Sequence, residues 1–163
     1  MPLPLETDAP TDFDFIIGDW VVEHRRLNAR LQGCDEWTTF TGRSSTVKTL
    51  GGFGNLEDNI LDFPDGRVRA LAMRSYSRET GTWSIWWLDG HNSTSLDVPV
   101  VGKFSDNVGL FFAVDVLDGQ AIRVRFTWTV LPGRNLTWEQ AFSSDGGRDV
   151  GGQLDDEVRS RLI

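Results

Sequence analysis

The chain has 163 residues, 39% of them hydrophobic, with seven Trp, ten Phe and a formal net charge of −8 at neutral pH. This apolar and aromatic content excludes a disordered chain, and the length suits one domain around a single core. The acidic balance excludes nucleic acid and anionic membrane surfaces as partners, because both call for clustered Lys and Arg.

Residues 1–12 are rich in Pro, Asp and Thr and are expected to form a flexible arm. They carry neither the basic nor the apolar stretch of a secretion signal. The single cysteine, Cys34, permits no internal disulfide, and no apolar run approaches a membrane span. A bacterial-type cytoplasmic protein is expected on these grounds. Residues 13–18 form a compact apolar plug, about one helical turn, ahead of the first strand.

Alternation of apolar and polar side chains then predicts nine strands, at 19–29, 36–48, 55–63, 67–77, 82–89, 99–104, 109–117, 121–131 and 135–143. Pro64-Asp65-Gly66, Glu79-Thr80-Gly81, Leu117-Asp118-Gly119 and Pro132-Gly133 mark reversals between them. So many strands with short connections and no helical run predict an all-β, antiparallel up-and-down barrel of nine to ten strands, since closure removes exposed edges. A two-sheet sandwich is the alternative. The barrel domain is placed at 13–147.

After Gly147 the pattern stops. Residues 148–163 are acidic, lack aromatics and show no period of two. Leu154, Val158 and Leu162 fall at helical spacing, and Glu157 and Arg161 form an i, i+4 pair, so a short helix is expected. The last strand of the barrel would then be lost or replaced. The first and ninth strands would be left as edges open to homodimerisation. Read one base out of frame, the same residues can encode G-T-W-E-V-N-W-T-M-K-F-V-R-A and a stop, a peptide with the alternating aromatics of a tenth strand. A single-base frameshift near codon 147 is the expected origin of the tail, with a genuinely divergent tail as the alternative.

Gly18-Asp19-Trp20 opens the first strand and resembles the Gly-x-Trp signature of calycins, the superfamily of lipocalins and fatty-acid-binding proteins. Taken with Trp20-Val21-Val22-Glu23-His24, Gly54-Asn55-Leu56-Glu57-Asp58-Asn59, Trp83-Ser84-Ile85-Trp86-Trp87 and Trp138-Glu139-Gln140-Ala141-Phe142, it resembles an uncharacterised family of small bacterial proteins, domains of unknown function with a lipocalin-like barrel. The likeness covers residues 12–147 and implies a calycin-like fold without an agreed activity. The family continues T-W-E-x-N-W-x-M-x-F-x-R, which only the displaced frame supplies. The basic residue that braces the signature Trp in calycins also occurs only there.

The calycin likeness implies that Trp20 points inward, and alternation then sets Val22, His24 and Arg26 on the same inner face. The opposite facing puts His24 and Arg26 in solvent. Asn55 and Asn59 share a face and would orient a polar ligand, or else cap the backbone of an irregular strand entry. Arg74 sits among Ala70, Ala72 and Tyr76, with room to fork a carboxylate or phosphate; alternatively it pairs with Glu57, Asp58 or Glu139. Glu139 suggests acid–base work with His24, or a structural salt bridge. Trp86 and Phe112 are expected as aromatic walls, although such residues are first of all packing.

No nucleophile elbow, phosphate loop, dinucleotide fingerprint or metal-ligand spacing is present, only His24 and His91 offer imidazole nitrogen, and no cofactor is expected. The leading expectation is a barrel that binds a small, partly apolar ligand through Trp20, His24, Arg26, Asn55, Asn59, Arg74, Trp86, Phe112 and Glu139. Two alternatives are a small-molecule isomerase, cyclase or hydrolase using His24 as base and Arg74 as charge stabiliser, and a haem- or nitric-oxide-binding barrel like nitrobindin.

Overall fold

The computed structural model describes residues 3–28, 36–133, 135–143 and 155–163. Cys34, and Leu154 of the expected helix, lie outside them. Ten strands follow one another: β1 (Gly18–Leu27), β2 (Trp37–Thr49), β3 (Gly54–Phe63), β4 (Gly66–Ser77), β5 (Thr82–Asp89), β6 (Val100–Ser105), β7 (Val108–Leu117), β8 (Gln120–Leu131), β9 (Asn135–Ser143) and β10 (Asp155–Leu162). The nine expected strands are all present, with bounds within two residues of those the alternation predicts. No α-helix occurs among the described residues, only three short 3-10 turns.

Every neighbouring pair is antiparallel, and the order β1-β10-β9-β8-β7-β6-β5-β4-β3-β2 closes on itself. Hairpin chemistry sets the meander. Between β7 and β8 only Asp118 and Gly119 intervene, at φ 50° and 78°, the left-handed pair that a two-residue reversal requires.

The tail corrects the expectation of a helix. Residues 155–162 form β10, paired through Leu162 with Val22 of β1 on one side and Leu136 of β9 on the other. The helical spacing offered only one local turn pattern, whereas two open strand edges offer a full ladder of backbone donors and acceptors on each side. The edges of β1 and β9 are thereby occupied, which removes the basis for a dimer through them.

The core gathers at the end where β1 begins. A 3-10 turn, Asp14–Ile16, inserts Phe13 and Ile16, both essentially inaccessible. The Phe13 ring meets Trp83 and Phe104 edge-on at 5.0 and 4.9 Å, the geometry that aromatic quadrupoles favour. Trp20 Nε1 donates to the Ile16 carbonyl at 2.9 Å, locking the plug to β1.

The arm that composition suggested would be free lies against the barrel. The Glu6 amide donates to the Gly51 carbonyl (2.7 Å), Trp83 Nε1 donates to Asp12 Oδ2 (3.1 Å), and Arg78 reaches both Glu6 and Asp8. Its polar residues thus find partners that only the folded barrel assembles. Among the described residues no helix is long and apolar enough to cross a membrane.

Candidate functional site

Residues directly opposite one another in adjacent strands share a face, so pairing maps the barrel lining without ambiguity. One row runs Trp20–Ser44–Asn59–Ala70, the next Thr46–Glu57–Ala72–Trp87, and the next Asn55–Arg74–Ile85. From the far side, Phe111, Val124, Phe126 and Trp128 face in from β7 and β8. The wall formed by β2, β3 and β4 is therefore polar and the wall formed by β7 and β8 aromatic and apolar.

Arg74 organises the polar wall. Its side chain is 3% exposed, and its Nη2 donates to Glu57 Oε2 while Nη1 donates to Asn55 Oδ1 at 2.8 Å. The guanidinium carbon stands 5.2 Å from the Phe13 ring and 5.4 Å from that of Trp128, so one cation touches both the plug and the aromatic wall. Of the carboxylates considered from sequence, Glu57 is the partner. Asp58 faces out and binds Arg69 instead, at 2.5 Å.

Four buried polar atoms in this region lack a hydrogen-bond partner among the described residues: Ser44 Oγ, Thr46 Oγ1, Arg74 Nε and Trp128 Nε1. Buried polar groups are ordinarily satisfied, and each one left alone costs about 1–3 kcal/mol. Arg and Trp nitrogens can only donate, and the hydroxyls can do so too. The two nitrogens, Arg74 Nε on β4 and Trp128 Nε1 on β8, lack acceptors, and the two hydroxyls lack any partner among the described residues.

Toward the other end of β1, His24 stacks on Phe40 at 4.8 Å, Phe40 meets Phe63 at 4.3 Å, and Arg26 lies 4.6 Å over Phe63. Burial lowers the His24 pKa from 6.5 to about 4, so the imidazole is neutral at physiological pH. Gly42 makes room for it, because a Cβ there would stand 3.0 Å from His24 Nε2 and 2.5 Å from the Ile60 carbonyl oxygen.

The lining thus includes Trp20, His24, Asn55, Asn59 and Arg74, with Arg26 half-buried beyond them. Two of these have structural duties: Trp20 holds the plug, and Asn59 Nδ2 donates to the Glu57 carbonyl at 3.2 Å. Trp86, Phe112 and Glu139 face outward. Trp86 alternates with buried Ile85 and pairs with Met73, and the Phe112 ring carries the Arg123 guanidinium at 4.6 Å. Glu139 is opposite Thr127, on the face away from Trp138 and Gln140, so an acid–base pair with His24 is not assembled. The doublets Trp86-Trp87 and Phe111-Phe112 place one aromatic on each face, so their sequence carries no parity.

Ser44, Thr46 and Trp128 were not anticipated as site residues. Gly42-Arg43-Ser44-Ser45-Thr46 is polar or small throughout, so no alternation reveals its inward positions. On the outer wall a shallow groove of about 450 Å³ runs past Asp19, Arg43, Asp58 and Arg69. Two of its charges, Arg69 and Asp58, already neutralise each other. The inner wall is the better candidate, and it belongs to an all-β, antiparallel barrel. No family model matches the chain, and no curated protein is similar to it.

Proposed function

We propose that the chain is a calycin-like, cytoplasmic barrel protein that binds a small, partly apolar molecule inside the ring of strands. The supporting observation is a set of buried polar atoms without a partner among the described residues: Ser44 Oγ, Thr46 Oγ1 and Arg74 Nε on the polar wall, and Trp128 Nε1 on the aromatic wall opposite. A ligand with a polar head would satisfy these atoms, and its apolar body would lie against Phe126 and Trp128.

The binding reading is preferred to the enzymatic one, with His24 as base and Arg74 as charge stabiliser, because the Arg74 charge is already paired with Glu57 and Glu139 lies on the face away from His24. Titration with Nile red, a neutral dye whose emission shifts to the blue in apolar surroundings, tests the reading. A saturable shift at one dye per chain is expected, and Ala72→Trp, which fills the lining, should abolish it. An unshifted spectrum, or a shift indifferent to Ala72→Trp, would overturn the proposal.

A further inference from the structure

The chemistry of the same wall narrows the ligand class, an inference that rests on the binding reading above. Arg74 is the one cation deep in the lining among the described residues, and its charge is cancelled by Glu57. Its guanidinium has two nitrogens engaged, by Asn55 and Glu57, and a third, Nε, without a partner among the described residues. His24 adds no charge near neutral pH. The lining therefore presents unpartnered hydrogen-bonding groups, two of them donor-only nitrogens, in a region of zero net charge. A carboxylate placed there would surrender its hydration without gaining a free countercharge, and it would be repelled by Glu57.

We infer that the barrel selects an uncharged ligand whose head is a hydrogen-bond acceptor, a carbonyl of the ketone, ester or amide kind, and rejects carboxylates of the same shape. The carbonyl oxygen accepts from the unpartnered donors, and the flat or apolar remainder lies on the Trp128 side.

Calorimetric titration at neutral pH with acetylnaphthalene, naphthoate and naphthalene separates the possibilities, since the three share one body and differ in the head. Acetylnaphthalene is expected to bind at least about tenfold more tightly than either of the others, the worth of one well-made buried hydrogen bond. Thr46→Val and Trp128→Phe keep shape while deleting a donor, and each should reduce acetylnaphthalene affinity while leaving naphthalene unchanged. Glu57→Gln uncovers the Arg74 charge and should shift preference toward naphthoate.

The wild-type comparison needs no variant to fold. Naphthoate binding as tightly as acetylnaphthalene, or tighter, would overturn the neutral-head inference while leaving ligand binding standing. Equal affinity for all three would overturn recognition of the head altogether. Absence of binding by any of them would overturn the binding reading itself.

Discussion

Burial changes what individual side chains can do in this barrel, and His24 is the clearest case. Its folded pKa of about 4 lies below the 6.5 of the exposed group, so as pH falls the unfolded chain takes up the proton first. The stability contributed by neutral His24 is complete above about pH 6.5, declines below it, and is exhausted near pH 4. The full span is roughly 3 kcal/mol from the linkage relation. His24→Phe, which preserves the stack on Phe40, should flatten this part of the profile. Urea unfolding of both proteins across that interval checks it, and an identical slope in the variant would assign the dependence to other groups. Arg74 illustrates a different rule: a buried ion pair adds little net stability, but it fixes how its neighbours are arranged. The residue types of both were visible in the chain, and Arg74's pairing with Glu57 was among the options. The direction in which Trp86, Phe112 and Glu139 point was not legible, because adjacent aromatics and mixed polar runs satisfy either parity.

At the level of elements, strands were easier to read than the segments joining or covering them. Asp-Gly and Pro-Gly reversals between alternating runs left little freedom in placing β3 to β9, whereas the arm and the tail had only composition or a local period to go on. The arm is held by a few specific contacts, of which Asp12 to Trp83 is the one joined to the core. Asp12→Ala should cost about 1 kcal/mol, the usual net worth of such a hydrogen bond. Thermal unfolding would register a modest fall in midpoint, with the Trp83 environment altered in near-ultraviolet circular dichroism. An unchanged midpoint and spectrum would mean that the arm is not held to the barrel in solution. The ion pairs of Arg78 with Glu6 and Asp8 are exposed and should contribute less.

For the whole molecule, closure is the decisive property. β10 occupies both edges that the other nine strands leave open, so removal of residues 148–163 should expose β1 and β9 together. The truncated chain is expected to associate into dimers or larger species, seen by light scattering as a rise in mass with concentration. A truncated chain that stays monomeric with its stability intact would show that the ring does not depend on β10. By itself, the sequence determined that the fold is all-β and where nine strands run. These follow from local periodicity and turn chemistry, which act over a few residues. Only the tertiary structure decided which face each strand turns inward, that Glu57 is the carboxylate neutralising Arg74, and that the tail pairs as a strand. Those outcomes depend on register and closure, where residues distant in the chain compete for the same partners, and no local pattern records which of them wins.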